Sequence, residues 1–284
     1  MGTSSFGRAS AVVPAGPGRY RAAMGPEWNC PIVPQGGLTV ATIARAMQAE
    51  LATPDQPLRS ISTVFAQQVQ AGEQLIDVQV LRRGRSMSQC SATIRNADAD
   101  AGATAVAVFG ANRKGFTFSD VAPPSVPMPD DCPSFRDPPP PEFPEFAGEP
   151  FPFWLNVEGR PALGHPPWET DAPKEAISGT WYRFDDPPRN DNGCWDRLAV
   201  LALADTMPGA VGQRVTREEN YFPPSCDFTC HLFDDALGEW VLGINRARHA
   251  GEGYASVDME MWDFARDQPT LVAYATQVMF FAFQ

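Results

Sequence analysis

Histidine is scarce in this chain: His165, His231 and His249 are the three among 284 residues. None is placed by sequence to activate a serine or a cysteine, so nucleophilic catalysis by such a side chain lacks its usual base. No G-x-S-x-G elbow occurs, which excludes a Ser-His-Asp hydrolase of the α/β type, and no G-x-x-x-x-G-K-[ST] loop is present to cradle phosphates. Cysteine is thin as well. Cys30, Cys90, Cys132, Cys194, Cys226 and Cys230 form no C-x-x-C pair and are too sparse for a disulfide scaffold, so a reduced, cytoplasmic protein is expected. Cys226 and Cys230 lie near His231, but strand alternation points them away from it, and neither a metal nor a cofactor is expected.

Positive charge is also in deficit. Lys and Arg number 22 against 34 Asp and Glu, a net charge of −12 that repels nucleic acid and anionic membranes alike. No run approaches the roughly 18 apolar residues that cross a bilayer. The apolar stretch Ala9–Pro17 is short and broken by prolines, unlike a secretory signal.

What the sequence does have is a repeated order of elements. Residues 35–111 give an apolar helix, Gly37–Leu51, then extended runs at Leu58–Val69, Gln74–Arg82, Met87–Arg95 and Ala103–Ala111. Residues 194–283 repeat it with a helix at Trp195–Met207 and runs at Phe222–Phe233, Trp240–Arg248, Tyr254–Trp262 and Leu271–Phe283. A helix followed by several antiparallel strands has one large apolar surface to cover, so each sheet is expected to wrap its helix. Residues 1–26, rich in Gly, Ser, Ala and Pro, read as a mobile N-terminal segment. The stretch 121–152 holds 12 of the 29 prolines and cannot be sheet interior. It reads as an extended linker pinned by Phe135, Phe143 and Phe146, dividing a domain at 27–120 from one at 153–284. A further strand is expected at Gly179–Phe184.

One polar residue interrupts the second helix. Leu198, Leu201 and Asp205 fall at i, i+3 and i+7, which sets the carboxylate on the stripe that meets the sheet. Aligned from Gly37 and Trp195, the two helices place Met47 opposite Asp205. A buried acid has its pKa raised toward the range of a general base. The alternative is that Thr206-Met207-Pro208-Gly209 ends the helix and leaves Asp205 solvated in its last turn.

An ordered set of segments resembles the acyl-CoA thioesterase II family across roughly residues 25–283: Trp28, Pro34-Gln35-Gly36-Gly37-Leu38, Leu81-Arg82-Arg83-Gly84-Arg85-Ser86, Leu203-Ala204-Asp205, Pro224-Ser225-Cys226-Asp227-Phe228-Thr229 and Ala273-Tyr274-Ala275-Thr276-Gln277. The resemblance implies an α+β tandem (double) hotdog fold, two antiparallel sheets each wrapped around a central helix. It implies an acyl-CoA substrate and hydrolysis to free acid and CoA. In that family an Asp on the second hotdog helix, a Ser or Thr on the next strand and a Gln on the last strand hold the hydrolytic water. By motif position these correspond to Asp205, Ser225 and Gln277. Strand alternation puts Thr229 on the same face as Ser225, so it stays a rival. Gln277 could equally be an edge residue facing water. The N–H groups of Gly36 and Gly37, at a helix start, are candidates to receive the thioester carbonyl; a plain helix-entry turn is equally consistent. Arg82, Arg83 and Arg85 suit a solvated hairpin tip better than a CoA phosphate site. Hotdog hydratases use a helix-borne histidine, and neither helix here has one. Hotdog halves pair sheet edges, which leads us to expect one continuous sheet and allows a homodimer. The rival function is a double hotdog that binds an acyl or aromatic ligand without turning it over.

Overall fold

Two helices that are apolar around most of their circumference need cover on every side, and one long sheet supplies it. The computed structural model describes residues 4–169, 175–215 and 221–283. The N-terminal half runs α1 (Ser5–Ala9), β1 (Val12–Gly16), β2 (Arg19–Met24), α2 (Gly36–Leu51), β3 (Leu58–Phe65), β4 (Gly72–Arg82), β5 (Met87–Asn96) and β6 (Ala103–Gly110). The C-terminal half runs β7 (Val157–Leu163), β8 (Ile177–Phe184), α3 (Ala199–Ala204), α4 (Gly209–Gly212), β9 (Tyr221–Phe222), β10 (Asp227–Leu232), β11 (Val241–Gly251), β12 (Tyr254–Asp263), β13 (Thr270–Phe280) and β14 (Ala282–Phe283).

Twelve strands form one sheet in the order β1-β2-β4-β5-β6-β3-β10-β13-β12-β11-β8-β7. Read inward from each end, the two halves have the same order. The seam is the antiparallel pair β3–β10, in register from Asp227 against Val64 to His231 against Ser60. This is the α+β tandem hotdog architecture. Among the described residues no helix is long and apolar enough to cross a membrane.

The repeat reaches further than periodicity shows. Strands β1 and β2 stand where β7 and β8 stand in the other half, so residues 4–24 are part of the fold and not a mobile lead-in. Their Gly and Pro content builds a hairpin: Gly18 takes φ +66° in the turn, and β2 alternates exposed and buried, with Tyr20, Ala22 and Met24 inside. The Phe6 side chain of α1 is fully buried among Trp28, Phe184 and the Arg45 guanidinium, so α1 touches both halves.

Helix α2 is thin because it is rich in alanine, and it is buried from Gly37 through Met47. Ala52 stops it in the left-handed region at φ +50°, and Arg83 donates to the terminal carbonyls of Glu50 and Leu51. The second helix is much shorter than the expected Trp195–Met207. Asp196 accepts from the Leu198 N–H, α3 covers only Ala199–Ala204, and the turn toward Pro208 ends it. All six of its residues are buried. The proline-rich stretch packs on the C-terminal half, with the Phe135 ring 5.1 Å from Trp154, and Phe143 and Phe146 beside Trp168.

Candidate active site

Helices α2 and α3 run antiparallel and cross so closely that only glycine fits at the contact. A Cβ on Gly37 would stand 2.8 Å from Ala202 Cα and closer still to the Leu201 carbonyl oxygen. The crossing brings the start of α2 against the end of α3, and Asp205 occupies the C-cap of α3. The periodicity argument for Asp205 therefore fails in its detail, because the helix stops one residue earlier. The side chain is nevertheless turned inward, since the cap position faces the first turn of its neighbour.

Three amides hold the carboxylate. Oδ2 accepts from the Gly37 N–H at 2.8 Å and from Gln35 Nε2 at 2.8 Å, and Oδ1 accepts from Gln277 Nε2 at 2.8 Å. Burial pushes the Asp205 pKa up from 3.8 to about 7, against the opposing pull of the Gly37 and Gln277 hydrogen bonds. The positive end of a 16-residue helix also favours the charged form. The result is an acid poised near neutrality. Its negative charge acts on the neighbouring Cys30, whose thiol is pushed to about 12 by burial first and Asp205 second, so this cysteine stays protonated and unreactive.

Gln277 Nε2 also donates to Ser225 Oγ, so Asp205, Gln277 and Ser225 form one connected cluster. Gln277 lies inside, 2% exposed, on central strand β13 rather than on an edge. Its Oε1 is buried without a hydrogen-bond partner among the described residues. Thr229 is elsewhere: its hydroxyl donates to Ser62 across the seam on the outer face. The separation of Ser225 from Thr229 has a geometric cause. Ser225 bridges Met279 while Thr229 pairs with Thr276, which leaves one more residue on the Ser225 side than on β13. That extra residue is a bulge, and it reverses which face later residues take.

The Gly36 and Gly37 expectation needs correction in one respect. The Gly37 N–H is engaged by Asp205 rather than left for a substrate carbonyl. Gly36 is half-buried at the same corner, where a Cβ would stand 2.7 Å from Asp205 Oδ2 and 3.3 Å from the Phe65 ring. Arg82, Arg83 and Arg85 are exposed on the β4–β5 turn, with Arg83 serving the end of α2. Gln35 is the site residue that sequence reasoning did not single out. Its signal was available in its position, immediately before Gly36-Gly37 at the helix start, but a glutamine there says nothing by itself about an acid 170 residues away.

Comparison with known proteins identifies the family and the fold. Residues 25–110 match the model of the acyl-CoA thioesterase N-terminal domain, and residues 129–281 that of the acyl-CoA thioesterase C-terminal domain. Among solved structures, a conserved protein with a hot dog fold from Alicyclobacillus acidocaldarius is 24% identical, with 99% of each chain covered and a TM-score of 0.80. An acyl-CoA thioesterase II, TesB2 of Mycobacterium marinum, is 17% identical over 99% of each chain, with a TM-score of 0.76. At these identities the structures speak for the fold alone. No curated protein sequence matches significantly. The paired domain matches, spanning both halves in order, place this chain in the acyl-CoA thioesterase family.

Proposed function

We propose that this protein hydrolyses an acyl-CoA thioester to a free acid and CoA by direct attack of water, with Asp205 as general base. The observation that carries the proposal is the Asp205–Gln277–Ser225 cluster around an acid whose pKa lies near 7. Ionised, Asp205 has lone-pair capacity left on Oδ1 to take a proton from water. Gln277 acts on the water indirectly, by holding Asp205 Oδ1 and Ser225 Oγ side by side through its Nε2. Ser225 Oγ, which accepts from Gln277, keeps its own proton to donate to the water oxygen. A water that gives one proton to Asp205 Oδ1 and accepts from the Ser225 hydroxyl has one lone pair left to aim at the thioester carbon, and this fixed geometry is the catalytic gain. Ser225 is an orienting group and not a nucleophile. With Gly37 engaged, the Gly36 N–H is the member of the glycine pair proposed to meet the carbonyl oxygen. In this reading the N-terminal half through residue 120, with β1 and β2 included, and the C-terminal half from residue 153 are the two functional domains, joined by 121–152.

The test is release of free thiol from a panel of acyl-CoAs of different chain length, for the wild type and Asp205→Asn. Turnover by the wild type and loss of about 10²–10⁴ in rate in the variant are expected. Full activity in Asp205→Asn would show that the base is elsewhere. Binding of acyl-CoA by the wild type with no thiol released would identify a non-catalytic binding module instead.

A further inference from the structure

Gln35 lies against the Asp205 carboxylate from the opposite half of the molecule, and the residue is 4% exposed. Every polar atom of its amide has a partner. Oε1 accepts from the Leu38 N–H at 2.9 Å, while Nε2 donates to the Ala202 carbonyl at 3.0 Å and to Asp205 Oδ2 at 2.8 Å. These partners fix which way the amide points. Turned over, it would set its oxygen against a carbonyl and a carboxylate, and its NH₂ against a backbone N–H.

We infer that Gln35 is a positioning residue that decides which oxygen of Asp205 serves as the base. The inference rests on the general-base reading above. A carboxylate oxygen has room for about two strong hydrogen bonds. Oδ2 has both, from Gly37 and Gln35, whereas Oδ1 has one, from Gln277. The incoming proton is therefore directed to Oδ1, on the side where the Gln277 amide holds Ser225. Gln35 also stabilises the ionised carboxylate as a donor, so its loss raises the pKa of Asp205. A side chain of the N-terminal half thus tunes an acid carried by the C-terminal half.

Two substitutions separate this role from plain helix capping. Gln35→Ser keeps a good N-cap for α2 but is too short to reach Asp205. Gln35→Met keeps the length and loses both functions. In both, the acid limb of kcat/KM for acyl-CoA hydrolysis is expected to move up by about one pH unit or more, since a donor to a charged group is lost. At pH 6 this appears as about a tenfold drop in kcat, with KM changed less than about twofold. A wild-type limb in Gln35→Ser would reduce Gln35 to a cap and overturn the inference. A second readout does not depend on turnover: the pH dependence of Tm for the wild type and Gln35→Ser, each compared with its Asp205→Asn counterpart. The Asp205-dependent part should extend to higher pH in Gln35→Ser. If the wild type releases no thiol, the hydrolase reading falls and this melting comparison alone decides Gln35, with an unmoved upper edge overturning it.

Discussion

The antiparallel pair of helices has two ends, and they are finished in opposite ways. Where α2 begins and α3 ends, an acid lies among amides: Gln35, Gly37 and Gln277 all donate to Asp205. Where the second half of α2 passes the residues that lead into α3, the acid has a cation. Arg45 Nη2 meets Asp196 at 2.5 Å, donates to Ser10 Oγ at 2.9 Å, and lies over the Phe6 ring at 5.9 Å. Both places bury polar groups, but only the second neutralises them locally. The first keeps an acid whose protonation is balanced near pH 7. Duplicated halves offer two equivalent corners; this chain has turned one into a structural clamp and, on the proposed function, left the other free to exchange a proton.

The comparison breaks most visibly at Asp205. Asparagine there keeps the shape and removes the proton acceptor, so the loss of about 10²–10⁴ in thiol release should come with a retained fold by circular dichroism. Arg45→Met should show the reverse pattern. It strands Asp196 beside an apolar helix and should cost about 2–3 kcal/mol in chemical denaturation, less than for a fully buried pair because Asp196 keeps some contact with water. Activity per folded molecule should be unchanged. Ser225→Ala should lower kcat about tenfold with little change in KM, the size of one lost hydrogen bond to the water. Thr229→Ala should leave kinetics untouched.

The smallest signals are in pH dependence. The kcat/KM should rise with pH and level off above about 7, as Asp205 ionises. Stability has the opposite sign. A folded pKa raised above the ordinary 3.8 means that the fold prefers the protonated acid. Its contribution is complete below about 4 and fades as pH rises through about 7. Asp205→Asn should flatten that part of a Tm-against-pH curve, while Arg45→Met should leave its slope in place.

Much of the architecture was legible because it was written twice. Helix α2 begins one residue before the expected start, at Gly36 rather than Gly37, and the strands β3 to β6 and β11 to β13 fall close to the expected runs. The hairpin at residues 12–24 was hidden by Pro14, Gly16, Pro17 and Gly18, which read as disorder one residue at a time and as a turn only when β4 is present to pair with β2. Strand β7 carries Gly159 and Pro161 and sits at the sheet edge, where proline is tolerated but periodicity is lost. In the candidate site, motif position brought Asp205, Ser225 and Gln277 together where period alone did not. A bulge cannot be counted from alternation, so Thr229 looked equivalent to Ser225. Gln35 escaped because its partner comes from the other half of the fold, a contact that no local pattern encodes.

The seam between β3 and β10 bears on how the protein first becomes active. During synthesis the N-terminal portion emerges carrying Gln35 and Gly37, with nothing yet to hold. Ser225 comes into place only as the chain zips across the seam, where Phe65 N–H donates to the Cys226 carbonyl. On the proposed function, a nascent or misdocked chain has no competent water site, and thioester cleavage begins only once the last strand has closed.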